Sequence, residues 1–238
     1  DGNSAKNDGG VYAAGSFAAI GGTIGYNTAS AEGAGIYLAN NGGVQLGSDT
    51  GASSSVALCN NTATADGGGA YVAGGYNFIV KQAEINSNSA ANGGGIYTVD
   101  NSKLNLSGGS ISKNTATTSG GGMYLKTGDI HTVYGIAFAS NIATNGNGGA
   151  IYLEAGSIEL SWHTSLRGNK AENGNGGGIY SAGDVKLTGS AAVKANKAKI
   201  GAGVYCSGMF TMEGSTAVGG TSEADGNIAS ENGGGIYI

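Results

Sequence analysis

The chain has 238 residues, of which 49 are Gly and none is Pro, and it carries a formal net charge of −5 with only 11% charged residues. That balance excludes a collagen-like fibre, which needs Gly at every third position together with Pro, and argues against a nucleic-acid surface, which needs a basic stripe. Because 39% of the residues are hydrophobic and recur in register, it also excludes a disordered polar segment.

The register is a repeat. An Asn, a small residue, an Ala, a Gly-rich turn and an aliphatic residue followed by Tyr recur along the whole chain. The Tyr of each copy falls at Tyr12, Tyr37, Tyr71, Tyr97, Tyr124, Tyr152, Tyr180, Tyr205 and Tyr237, with successive gaps of 25, 34, 26, 27, 28, 28, 25 and 32 residues. A period in this range is the signature of a stacked solenoid.

Within one coil, the first element is a strand centred on Tyr, such as Gly178-Ile179-Tyr180-Ser181. Both neighbours of Tyr are mainly apolar across the copies, so period two points them inward and Tyr outward. The second strand reads apolar, polar, apolar: Val44-Gln45-Leu46, Leu104-Asn105-Leu106, Ile158-Glu159-Leu160, Val185-Lys186-Leu187 and Phe210-Thr211-Met212. The third carries one apolar residue three before an Asn, as in Ile85, Ile111, Phe138, Leu166 and Val193. With no helical period anywhere, the expected fold is all-β. It is a right-handed parallel β-helix of about nine coils with three short strands per coil, one solenoid over residues 1–238 and an excerpt of a longer repeat protein.

The turns fit the same scheme. Gly before each Tyr strand suits a sharp bend and a close approach of neighbouring coils. Asn is the next-best residue in the left-handed region, and Asn27, Asn61, Asn88, Asn114, Asn141, Asn169, Asn196 and Asn227 are placed to form a structural ladder of amide hydrogen bonds. The Ala two residues after each Asn is expected to pack inward at a tight corner. Two long gaps place extra residues near 47–55 and 219–226, as loops leaving the coil.

Along the chain, Cys59 and Cys206 fall in coils roughly 24 Å apart at one strand spacing per coil. That is beyond the reach of about 7 Å that a disulfide allows. Cys59 is expected to be exposed and Cys206 buried. His131 is expected on an outward position of a second strand, and Trp162 is expected to plug a loop over the coil. Asp8, Glu32, Asp66, Glu172 and Glu231 lie near Gly turns, where solvated carboxylates or a Ca²⁺ ligand set are the two readings. No metal site and no cofactor is expected.

The pair Gly148-Gly149-Ala150-Ile151 and Phe138-Ala139-Ser140-Asn141 resembles the GGAI and FxxN repeats of chlamydial polymorphic outer-membrane proteins. Similar glycine-rich repeats occur in other bacterial adhesin-like surface β-helices. Other copies are looser, with GGGI or GAGI for the first element and an aliphatic residue for the Phe of the second. The resemblance implies an exported domain used in adhesion. In that family a membrane β-barrel follows, and no barrel-like segment occurs in this chain.

The expected function is therefore that of a non-catalytic extracellular or cell-surface protein, a structural stalk or adhesin-like binding module. The nine-Tyr column is the candidate binding strip, read either as a surface for sugar rings or partner protein or as sheet-stabilising neighbours. Expected partners are a surface protein or glycan of a host or neighbouring cell, with end-to-end or lateral self-association, no nucleic acid and no membrane span in this segment. A β-helix polysaccharide lyase or glycoside hydrolase is the alternative and would need carboxylates clustered with Lys or Arg at one groove. An ice-binding protein is the further alternative. It wants a flat Thr array, and the slot after each Asn runs Ser4, Thr28, Thr62, Ser89, Thr115, Ile142, Lys170, Lys197, Ile228.

Overall fold

A computed structural model describes residues 1–39, 42–48, 55–74, 77–99, 102–127 and 131–238. Every strand pairing among the described residues is parallel, and equivalent residues of successive coils lie opposite one another: Tyr71 opposite Tyr97, Ile85 opposite Ile111, Ala90 opposite Ala116. The chain is a parallel β-helix with three walls. A nine-stranded tyrosine sheet runs from Val11–Ala13 to Ile236–Tyr237. A nine-stranded alanine sheet runs from Ser4–Ala5 to Ile228–Asn232, and a 14-stranded long sheet forms the third wall.

The partition of strands differs from the expectation in one respect. The second and third strands of each coil share the long sheet, and in two coils they run without a break as Asn77–Asn86 and Lys103–Ser112. The bend between them is made by one or two left-handed residues, such as Gln82 (φ 51°) in the first and Gly108 and Gly109 (φ 82° and 87°) in the second, and parallel pairing resumes directly after it. The remaining wall, the alanine sheet, is instead built from the short strand after each Asn, such as Thr28–Ala29 or Thr115–Ala116. What was expected to be a corner is a sheet.

The alternation of side chains follows. In one coil Ile151, Leu153, Ile158, Leu160 and Leu166 are all buried at 1% exposure or less, and with their equivalents they form one continuous core between the tyrosine and long sheets. The alanine sheet encloses almost nothing. Its inward residues, Ala29, Ala63 and Ala90 among them, make a small separate cluster. The reason lies in the Gly-rich segment, which folds flat beneath it. A Cβ on Gly94 would lie 2.5 Å from the Thr115 carbonyl oxygen, and one on Gly69 would lie 2.5 Å from the Gly95 oxygen of the next coil. Only Gly facing Ala fits between those two layers.

The Asn side chains join the long and alanine sheets. Asn88 is 1% exposed, and its amide is fully used. Nδ2 donates to the Leu58 carbonyl at 2.9 Å and to Asn114 Oδ1 at 3.0 Å, while its own Oδ1 accepts the Asn61 backbone N–H at 3.0 Å and Asn61 Nδ2 at 2.9 Å. The pattern repeats from Asn27 to Asn227, and Asn3 extends it by one rung below Asn27. The left-handed residue is not the Asn itself but the one before it: Tyr26, Asn60, Ser87, Lys113, Ser140 and Ala195 all lie at φ 54–57°. Each such non-glycine residue costs on the order of 1 kcal/mol. The turn carries that strain because it aims both the backbone N–H and the amide of the Asn at the next coil.

Replacing Asn114 by Ala removes the acceptor for the Asn88 N–H and for one of its amide hydrogens. Two donors stranded in a dry interior should lower stability by about 2–4 kcal/mol. The same change at exposed Asn145 should stay within about 0.5 kcal/mol. Urea unfolding of the two variants measures the difference, and equal effects would contradict the ladder's role.

Candidate functional site

The tyrosine sheet turns the middle residue of each strand outward, and exact register brings all nine phenols into one column. Successive ring centroids lie 5.8, 4.9, 5.3, 4.9, 4.6, 5.0, 4.8 and 5.1 Å apart, and every pair is stacked. Because strand spacing is close to the stacking distance, the rings cover one another's faces. Tyr12 at one end is 59% exposed, whereas Tyr97 in the middle is only 8% exposed. Along its length the column therefore offers a rail of ring edges and hydroxyls, with free faces only at its ends.

Burial acts on the hydroxyls. It pushes Tyr71 up to about 12, with Tyr37, Glu32 and Asp66 adding smaller like-signed effects. Tyr37, Tyr152 and Tyr180 are also raised, each chiefly by burial. Tyr124 is raised most, by burial and by its 2.7 Å hydrogen bond to Glu154 Oε2. These five hydroxyls are held in their protonated, hydrogen-bond-donating form.

A second polar ladder flanks it on the Gly-turn side and was not read from the sequence. Asn92 Nδ2 donates to Asp66 Oδ1, the Ser119 N–H to Asn92 Oδ1, the Asn147 N–H to Ser119 Oγ and the Asn175 N–H to Asn147 Oδ1, at 2.8–3.3 Å. Its sequence signal is a short polar residue directly before each Gly triplet. Asp66 thereby has a structural partner. Asp8 occupies the left-handed slot that Gly33 and Gly67 fill in later coils, and burial, then Glu32, raises its carboxyl.

The remaining candidates separate. Cys206 is buried, with its thiol pushed up by burial, and Cys59 is half-exposed; both are free. Register sets His131 opposite Ile158 and Thr132 opposite Glu159, so His131 does not share the strand position of Glu159 and Lys186. Trp162 does not plug the coil. It holds a left-handed bend (φ 52°), is 56% exposed and lies against the Tyr134 ring at 5.4 Å. Residues 49–54 of the first long loop lie outside the described residues. The second long loop folds back: its short 3₁₀ turn Glu223–Asp225 brings Asp225 to Arg167 Nη1 at 2.6 Å and Lys194 Nζ at 3.7 Å. Among the described residues no three His, Cys, Asp or Glu side chains converge.

A shallow groove of about 220 Å³ on the long sheet is lined by Glu159, Asp184, Lys186, Met209 and Thr211 among others. Its charges are engaged. Glu159 Oε1 accepts the Thr188 hydroxyl, Asp184 Oδ1 accepts the Met209 N–H, and Lys186 pairs with Glu213 at 3.0 Å. The alanine sheet presents the slot after each Asn outward. Its Ser and Thr column stops at Thr115, and Ile142, Lys170, Lys197 and Ile228 follow in register.

Residues 9–192, most of the chain, match the family model described as a right handed beta helix region. The chain belongs to the right-handed β-helix family, and its crossovers take that hand. No curated protein and no solved structure matches it.

Two outcomes follow from the stacked column. Tyr97→Ala should cost about 2–4 kcal/mol, as removal of a buried aromatic does, and Tyr12→Ala at the exposed end less than about 1 kcal/mol; urea midpoints compare them. A phenol of the unfolded chain ionises near pH 10, whereas Tyr71 resists to about 12. In that window the folded chain holds more protons than the unfolded one, so stability must fall as pH rises. A urea midpoint no lower at about pH 11 than at about pH 8 would contradict the buried phenols.

Proposed function

We propose that this chain is a non-catalytic extracellular surface module, a stalk or adhesin-like domain that binds along its length. The observation that carries this reading is the tyrosine column, in which the same side chain recurs at the same height in every coil. A one-dimensional rail of donors suits an extended partner, protein or glycan, engaged at several coils at once. It differs from a single walled cleft, the usual form of a small-molecule site. The all-parallel, Asn-laddered body supplies a stiff carrier. Within the right-handed β-helix family, the kinship we favour is with chlamydial-type adhesin repeats, on the strength of Gly148–Ile151 and Phe138–Asn141.

The long-sheet groove that holds Glu159, Asp184 and Lys186 favours polysaccharide lysis or hydrolysis as the second reading. Carboxylates and a cation sharing one depression is the arrangement such chemistry uses. Incubation with uronate-rich and neutral polysaccharides, followed for new reducing ends, decides for that reading if cleavage appears and is lost in Glu159→Gln.

The surface-module reading is tested with the purified chain coated on beads and applied to cell surfaces and glycan arrays. The triple variant Tyr37→Phe, Tyr71→Phe, Tyr180→Phe keeps the ring stack and removes three hydroxyls. It should weaken bead attachment at least about threefold, the worth of a lost hydrogen bond, with melting nearly unchanged. Attachment equal to the native chain would contradict the rail as the binding face. Native beads that attach to nothing would contradict the module itself.

A further inference from the structure

Of the 11 Lys and Arg residues, six fall between positions 167 and 199: Arg167, Lys170, Lys186, Lys194, Lys197 and Lys199. The fold concentrates them further. Register sets Arg167 directly opposite Lys194 on the long sheet, and Lys170 directly opposite Lys197 on the alanine sheet. Adjacent strands lie about 4.8 Å apart, and like charges directly opposite destabilise a sheet. An acidic chain thus stacks two cation pairs side by side, across the single ladder rung Asn169–Asn196.

One pair is answered from within. The loop before the final coil lays Asp225 over Arg167 and Lys194, and the Arg167 guanidinium holds the Asp225 carboxyl below its ordinary range, with Lys194 adding to the effect. The other pair is not answered. Lys170 and Lys197 are exposed, and neither has an ion-pair partner among the described residues. They border an open groove of about 360 Å³ that also contains Ile228, Ser230 and the carboxylate of Glu172.

We propose that this groove binds a linear acidic glycan, whose carboxylate or sulfate group sits on Lys170 and Lys197 as Asp225 sits on the neighbouring pair. The inference rests on the surface-module reading and adds a second contact to it, on the alanine sheet apart from the tyrosine rail. A carboxylate is the group the adjacent cations already hold. Ile228 and Ser230 beside the lysines match the mixed apolar and hydroxyl surface of a sugar ring. Glu172 and the net charge of −5 oppose a nucleic acid, which carries one charge per about 1.7 Å of duplex, more than they oppose a chain with one or two charges per disaccharide. Being exposed, the contact weakens as salt rises.

The test uses the full chain and four immobilised probes: a chondroitin sulfate octasaccharide, an oligogalacturonate, a neutral dextran and a DNA duplex of similar length. Both acidic glycans should bind at low salt, the dextran should not, and the DNA should bind more weakly than either glycan. Lys170→Gln with Lys197→Gln should weaken glycan binding about tenfold, the loss of two exposed charge contacts. Melting should be unchanged or raised, because a repulsive pair is gone. The control Lys6→Gln with Lys126→Gln, the same change in net charge, should leave binding intact. The proposal is overturned if neither acidic glycan binds, if the groove variant binds like the native chain, if the control loses as much, or if the DNA binds as tightly as the glycans. Should any of these occur while native beads still attach to cell surfaces, only this ligand assignment falls. Beads that attach to nothing remove the surface-module reading itself.

Discussion

Each coil must hand its neighbours hydrogen-bonding groups at the same heights on both sides, and the buried Asn column is where that requirement is strictest. An amide has two donors and an oxygen with two lone pairs. At the interior rungs from Asn61 to Asn196 every one is used, partly for the coil below and partly for the coil above. Slipping one coil by one residue would strand those groups in a dry interior and turn the inward Ile, Leu and Val to water. The ladder thus fixes the register on which the rest of the molecule depends. It also explains why six non-glycine residues accept left-handed turns just before the Asn. Their strain is smaller than the cost of an unsatisfied amide.

Exact register has consequences outside the core. Whatever stands on an outward position is laid over its equivalent at one strand spacing. For phenols that spacing is a stacking distance, so nine tyrosines become a column that buries most of its own faces. For Thr28, Thr62, Ser89 and Thr115 it makes a flat polar row. For Lys170 and Lys197 it makes a repulsion. Long loops are tolerated because they leave at bends and need not disturb the pairing. The loop that carries Asp225 returns to the surface and offsets part of one of the charge clusters that register created.

The repeat, the inward pair around each Tyr and the Asn positions were legible because they recur with fixed residue types. What escaped lacked one of those signs. The two-residue strands after Asn, such as Thr62–Ala63, are too short for alternation to register as a pattern. The left-handed slot before Asn is filled by Ser87, Lys113 or Ala195, types with no preference for it. The second ladder uses Asp66, Asn92, Ser119 and Asn147 in one role, so chemistry recurs there without identity. Outward Tyr was readable from period two. That the rings cover each other was not, since it needs the third dimension as well as the alternation. The lysine pairs emerge only once residues 27 apart in sequence are known to be neighbours.

The central claim is that residues one repeat apart lie directly over one another along a single axis. Spin labels at the outward positions Thr28 and Lys197, with Cys59 changed to Ser, test it most directly by pulsed electron–electron resonance. Those positions belong to strands with five others between them in the alanine sheet, so the account predicts one narrow distance distribution centred near 29 Å. A broad distribution, or a centre beyond about 45 Å, would mean that the coils do not stack at strand spacing.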